Sequence, residues 1–205
     1  MKLLVATRSA GKQREVRALL ADTEFEVVFP TEAGIVETPD EAPLELGVTF
    51  EANARAKAEH FIKRSGLPAL ADDSGLEVFS LGGEPGVRSR RWTGAEGSEA
   101  EVDAANNAYL LRRLLGAPPE KRRARYRCVL AFVPRVGTVP QMFEGVSTGA
   151  IATEPRGEGG FGYDPLFLSD ELGKTFGEAI DEEKNRVSHR GRAFQAFLQA
   201  FREGR

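Results

Sequence analysis

Apolar positions recur along the chain at two spacings, and these lay out its elements. Leu3 to Ala6 form a short unbroken apolar run. After a turn at Ser9-Ala10-Gly11, Val16, Leu19 and Leu20 follow at helical spacing, so the opening predicts strand, loop and helix. Phe25 to Phe29 predict a second short strand. Residues 30–47 are rich in Pro, Gly and acids without a sustained period and read as a loop. From Thr49 as N-cap to Gly66 as a C-terminal stop, Phe50, Ala54, Ala58, Phe61 and Ile62 share one helical face, leaving Glu51, Asn53, Lys57 and His60 on the polar face. Two apolar segments, Pro68 to Ala71 and Leu76 to Phe79, flank Asp72-Asp73-Ser74-Gly75, whose composition favours a turn or a strand break with the acids at a strand end. Ser98 and Glu101 have capping-box spacing ahead of a helix carrying Val102, Ala105 and Tyr109. Tyr126 to Val133, Gln141 to Gly145 and Thr148 to Ala152 read as strands. A last helix starting near Ser188 carries Phe194, Phe197, Leu198 and Phe201 as an aromatic stripe for core or dimer packing.

Helices and strands mixed in this way, without repeat or linker, favour a sheet covered by helices. With 205 residues, 41% of them apolar and 29% charged, the chain has enough core for one large domain or two intimate lobes. No apolar run approaches the ~20 residues of a membrane span, and the opening apolar stretch stops at Arg8, too short for a signal-peptide core. A soluble, intracellular (cytoplasmic) protein is therefore expected, with no membrane partner. The lone Cys128 makes neither an internal disulfide nor a thiolate zinc site and reads as a buried strand residue. A net charge of −3 argues against a nucleic-acid backbone binder.

Two motifs fail on inspection. In Thr7-Arg8-Ser9-Ala10-Gly11-Lys12-Gln13, Ala6 stands where a P-loop needs its first Gly and Gln13 where it needs Ser or Thr. Gly157 to Gly162 satisfies G-x-G-x-x-G, but Pro165 follows where a dinucleotide fold needs its helix. Their physical content survives. A small-residue turn carrying Lys12 at a helix start offers amide donors, a dipole and a cation to a polyphosphate. The glycine run lets backbone approach a flat ligand beside Phe161. Asp72 and Asp73 are adjacent, so in a continuous strand only one faces a given site. If Glu51 and Asp73 converge with Lys12 and Lys57, the set becomes oxygen ligands for Mg2+ beside cations for phosphate. Lys184, Arg186, His189, Arg190 and Arg192 crowd a helix start that Ser188 can cap, where His189 and Arg190 can meet an anion or a base edge.

In order, the chain carries Thr7 to Lys12, Thr49 to Ala54 with Lys57, Ala71 to Leu76, Pro85-Gly86-Val87-Arg88-Ser89, Gly159 to Pro165 and Ser188-His189-Arg190-Gly191. This set resembles the inosine triphosphate pyrophosphatase family, over residues 2 to about 200. The resemblance implies an α/β fold: an elongated mixed sheet flanked by helices, two lobes with the active cleft between them, and residues 1–205 forming a single nucleoside triphosphate pyrophosphatase domain. It further implies a homodimer that uses Mg2+ to hydrolyse deaminated purine nucleoside triphosphates (ITP, dITP, XTP) to the monophosphate and pyrophosphate. By resemblance, Thr7, Arg8, Ser9, Ala10, Gly11 and Lys12 hold the triphosphate. Glu51 and Asp73 surround the metal, and Asp73 accepts the proton. Lys57, Ser74, Phe161, Gly162, Tyr163, Asp164, Lys184, His189 and Arg190 complete the substrate-binding set. The first loop departs from the family's usual Thr-Gly-Asn in reading Thr7-Arg8-Ser9. The rival readings are a Maf-like nucleotide pyrophosphatase, preferring pyrimidine or modified nucleotides, and a non-catalytic nucleotide binder.

Overall fold

A computed structural model describes residues 1–203. In chain order, β1 (Lys2–Val5) leads to α1 (Ala10–Leu20) and β2 (Glu26–Val28). After a 3-10 helix at Pro39–Glu45 come α2 (Phe50–Ser65), β3 (Ala69–Val78) and α3 (Glu99–Arg113). Next are β4 (Arg123–Val133), β5 (Gln141–Ile151), β6 (Phe167–Ser169), α4 (Asp181–Val187) and α5 (His189–Glu203). The strands form one mixed sheet in the order β2-β1-β3-β4-β5-β6. β1 pairs parallel with β2 and with β3, and β5 pairs antiparallel with β6. The expected mixed α/β sheet with flanking helices is thus present.

The chain divides into two compact units. The first comprises Met1–Asp73, Cys128–Gly145 and the chain from Arg192 on; the second comprises Ser74–Arg127 and Val146–Gly191. In the first, Leu3 and Val5 of β1, Leu70 of β3 and Cys128, Leu130 and Phe132 of β4 pack with Val16 and Leu20 of α1 and Phe194 and Phe197 of α5. Leu4 and Ala6, which alternate with that set, are buried as well. Burial on both sides is why β1 is continuously apolar, as parallel strands usually are. The stripe on α5 serves this core, with Phe25 and Phe132 stacking around Phe197. In the second unit, Leu76 and Val78 of β3, Leu110 and Leu114, Tyr126, Ile151, Phe167, Phe176 and Val187 form a separate core.

Helix boundaries follow local chemistry. The Thr49 hydroxyl accepts from the Ala52 amide at 3.1 Å, and α2 ends at Gly66, whose φ of 68° is left-handed. Ser98 and Glu101 form a reciprocal capping box at α3. Four sequence expectations need correction. The residues Asp72 to Gly75 do not break a strand but lie inside the ten-residue β3, because both acids find cationic or amide partners there and no longer compete for the backbone. The two strands expected within residues 141–152 are one, β5, since Val146 and Ser147 continue the strand between them. The loop at residues 30–47 contains a 3-10 helix started by Pro39, and β6 and α4 arise where no periodicity signalled them. Asn53 and Lys57 are not on a solvated face of α2; they are buried against β3.

Candidate active site

The acids of β3 organise the first unit's polar cluster. Successive strand residues face opposite ways, and Asp72 and Asp73 accordingly meet different helices. Asp72 pairs with Lys12 of α1 at 3.0 Å. Asp73 accepts from Lys57 Nζ on Oδ1 at 3.0 Å and from Asn53 Nδ2 on Oδ2 at 2.9 Å, both from α2 and one helical turn apart. Asp73 is 7% exposed, so its orientation is fixed on both oxygens while each retains acceptor capacity. Burial would lower the Lys57 pKa. The charges of Asp73, Glu45 and Asp72 outweigh it and hold the ammonium well above its usual value, so it is a permanent cation at neutral pH.

A second carboxylate reaches the same ammonium: Glu45 Oε1 lies 3.3 Å from Lys57 Nζ. The backbone beside it is fixed too, because Gly47 donates its amide to Asn53 Oδ1 at 2.7 Å. A Cβ on Gly47 would collide with that same amide oxygen, which accounts for the glycine. Glu51, the carboxylate expected near the metal, precedes Asn53 by two residues and leaves α2 on a different side from Asn53 and Lys57. Glu45 was hidden in the sequence because residues 30–47 have no period, and its partner on α2 is far from it in the pattern.

The first loop precedes α1 in the same unit. Ser9 occupies the N-cap position, but its side chain caps no amide, and the first turn of α1 contains no acid. The amides of Ala10, Gly11 and Lys12 therefore open a helix whose positive dipole end has no acid of its own. Thr7 closes the turn, its hydroxyl accepting from the Ser9 amide at 3.3 Å. Arg8 points elsewhere: its guanidinium makes a bidentate pair with Glu41, Nε to Oε2 and Nη2 to Oε1, both at 2.8 Å.

In the second unit the glycine run is braced from within. Asp164 Oδ2 accepts from the Phe161 amide at 2.8 Å and from Lys184 Nζ at 2.6 Å. Gly160, at φ 74°, has no room for a Cβ beside that carboxylate. A Cβ at Gly157 would fall on the backbone of Gly177, so these glycines serve the protein's own close approaches, not only a ligand's. Lys184 and Arg190 stand over the Phe161 ring at 5.1 and 5.6 Å from its centroid. Arg190 also donates to the Ser74 hydroxyl at 2.9 Å. The Ser188 hydroxyl accepts from the Gly191 amide at 3.0 Å, capping α5, and positions His189 to stack on Tyr126 with centroids 4.5 Å apart. The Tyr163 hydroxyl donates to the Ser89 carbonyl at 2.9 Å. Burial drives the phenol pKa of Tyr163 far upward, leaving it a neutral donor.

Two residues that the sequence did not single out complete this cluster. Asp103 Oδ2 accepts from the Gly162 amide at 2.6 Å, and Asn107 Nδ2 donates to the Gly162 carbonyl at 2.9 Å. Both project from one face of α3, but their partner lies more than fifty residues downstream, beyond any local signal.

Of the expected site residues in the first unit, the structure brings Lys57 and Asp73 together, adding Asn53 and Glu45, and pairs Lys12 with Asp72. In the second it gathers Ser74, Phe161, Asp164, Lys184 and Arg190, with Gly162 and Tyr163 tied to α3 and Ser89 and His189 stacked on Tyr126. Among the described residues no three His, Cys, Asp or Glu side chains form a metal cage. One or two carboxylates are the partial oxygen set that suits Mg2+, which commonly completes its shell with water and substrate phosphate.

The Ham1 family model matches residues 3–200. A dITP/XTP pyrophosphatase from Yersinia pseudotuberculosis is 45% identical over 203 residues, covering 98% of each chain, and one from Thermus thermophilus is 45% identical over 204 residues, covering 100% of this chain and 93% of its own. Among solved structures, a HAM1 protein from Coxiella burnetii superposes with a TM-score of 0.84 at 37% identity over 99% of both chains. With its ordered motifs, its fold and nearly its whole length in agreement, this chain belongs to the Ham1 family.

Proposed function

We propose that this protein hydrolyses deaminated purine nucleoside triphosphates, ITP, dITP and XTP among them, to the monophosphate and pyrophosphate. The observation that carries the reading is Asp73, a buried carboxylate oriented by Lys57 and Asn53 on a strand next to a helix start suited to phosphate. The names of the relatives, dITP/XTP pyrophosphatases, support the same substrate class and favour it over a Maf-like activity.

In this reading Asp73 accepts the proton of a water attacking the α-phosphorus. The amides of residues 10–12 and Lys12 hold the triphosphate. Mg2+ is the proposed cofactor, with Glu45 beside Asp73 in the place that the resemblance gives to Glu51; bound there it would acidify water and offset phosphate charge. Lys57 keeps the two acids together and limits their mutual repulsion. The second unit's set reads the base. Phe161, flanked by Lys184 and Arg190, offers a ring for stacking, and Arg190 offers N–H donors to the 6-oxo group of a deaminated purine. Adenine presents a 6-amino donor there, and a buried donor facing a donor is expected to cost about 1–3 kcal/mol. We further propose that the protein acts as a homodimer in the cytoplasm, where the nucleotide pool is, without a nucleic-acid or membrane partner.

A panel of nucleoside triphosphates, with and without Mg2+, scored separately for pyrophosphate and orthophosphate, tests the proposal. ITP, dITP and XTP should release pyrophosphate with kcat/KM well above GTP and ATP, and only with the metal. A preference for ATP or a pyrimidine triphosphate would contradict the base reading.

A further inference from the structure

The segment that brings Glu45 to Lys57 has little packing of its own. None of residues 39–45 is buried, and Leu46 and Val48 on its far side are exposed. Its place is therefore set by polar contacts at its two ends. At the distal end Glu45 meets Lys57, and Gly47 donates to Asn53. At the proximal end Arg64 of α2 donates to Val36 O, Thr38 Oγ1 and Glu41 Oε1, at 2.9 to 3.0 Å. Arg8 adds the bidentate pair to Glu41 and a third bond to the Ile35 carbonyl at 3.2 Å, with Glu37 4.0 Å away.

Glu41 is thus gripped from two elements at once, by α2 through Arg64 and by the first loop through Arg8. Its side chain is 11% exposed and that of Arg8 23%, so this is not an ordinary solvated surface pair. Burial alone would raise the Glu41 pKa, but the bonds and charge of Arg8, with the charge of Arg64, hold it below the usual carboxylate value. A planar guanidinium on both oxygens of one carboxylate fixes direction as well as distance, which a lysine at this position would not reproduce. An arginine so engaged commits its Nε and Nη2 edge to Glu41 and Ile35 and leaves only Nη1 outside the clamp, so it cannot offer that bidentate fork to a phosphate without releasing Glu41.

We propose that Arg8 is a positioning residue: by clamping Glu41 it ties the first loop to residues 36–46 and keeps Glu45 beside Lys57 and Asp73, and it is not a phosphate ligand. The inference rests on the proposed metal-dependent pyrophosphohydrolase reading, but its first test does not.

Hydrogen exchange of the full-length, metal-free protein reads the clamp directly. In Arg8→Ala and in Glu41→Gln, amides of residues 36–46 should exchange roughly 3- to 10-fold faster, the scale of a partly buried ion pair, while β1 and α1 keep their protection. In turnover, both variants should need several-fold more Mg2+ for half-maximal rate. Their KM for ITP at saturating Mg2+ should stay within about twofold, because phosphate contacts are untouched. The double variant should be no worse than either single, as expected for two halves of one contact. Arg8→Lys should recover only part of the loss. If Arg8→Ala fails to fold, Glu41→Gln and Arg8→Lys carry the same comparison. Unchanged exchange in residues 36–46, or a rise in ITP KM in Arg8→Ala that Glu41→Gln does not share, would overturn the proposal. Should the wild type hydrolyse no nucleoside triphosphate, the activity reading fails, and the exchange comparison still decides the clamp.

Discussion

Lys57 is a buried ammonium whose counter-charges lie on two separate segments, Asp73 on β3 and Glu45 in the 3-10 turn. Removing one partner of such a group leaves the other desolvated and unpaired. Lys57→Met is therefore expected to destabilise the fold by about 3 kcal/mol in urea titration, and Lys57→Met with Asp73→Asn by less than Lys57→Met alone. The pH dependence has a definite sign. The folded-state pKa of Lys57 lies above its unfolded value of about 10.4, so its stabilisation is fully present below that pH and is lost as pH rises through the folded value. The stability difference between wild type and Lys57→Met should therefore be flat with respect to this group at neutral pH and shrink only under strongly alkaline conditions. At Asp73 itself, Asn keeps the shape and can still accept from Lys57, at the loss of the bond from Asn53, but cannot take a proton. Asp73→Asn should lower turnover at least ~10²-fold with its circular dichroism unchanged, and a variant with near-normal turnover would remove Asp73 from the chemistry.

At the scale of elements, α3 acts as the splint of the glycine run, since Asp103 and Asn107 hold the two backbone groups of Gly162 from a single helical face. Asn107→Ala should raise KM for ITP roughly 3- to 10-fold while changing kcat less, because base placement is loosened and the Asp73 cluster is not; equal losses in both would assign α3 to the reaction step instead. Elements of this kind divide what the sequence shows from what it hides. Thr49, Gly66 and the Ser98–Glu101 box were legible because a cap is made within four residues of itself. The Asp72 to Gly75 segment read as a break because its composition favours turns, whereas Lys12, Lys57 and Asn53, supplied by two other helices, satisfy its acids within the extended strand. The same non-local supply explains why Lys57 and Asn53 looked solvent-facing and why Glu45 did not stand out. The short β6 and the seven-residue α4 are below the length at which periodicity speaks.

Across the whole molecule, the groups proposed to handle phosphate belong to one compact unit and those proposed to read the base to the other, although neither unit is contiguous in sequence. Ordered motifs identified the family where single motifs did not, because each cluster draws its residues from several of them. The division of labour makes selectivity separable from turnover. Arg190→Ala should erode kcat/KM for ITP much more than the residual activity on ATP, since its donors match only the oxo base; equal losses would assign Arg190 to structure through Ser74. The central claim, attack of water at the α-phosphorus, is tested most directly by hydrolysing ITP in ¹⁸O-labelled water and locating the label by mass spectrometry. The account predicts one-step formation of IMP and pyrophosphate with the label in IMP. Label in pyrophosphate, or IDP accumulating with orthophosphate, would contradict it.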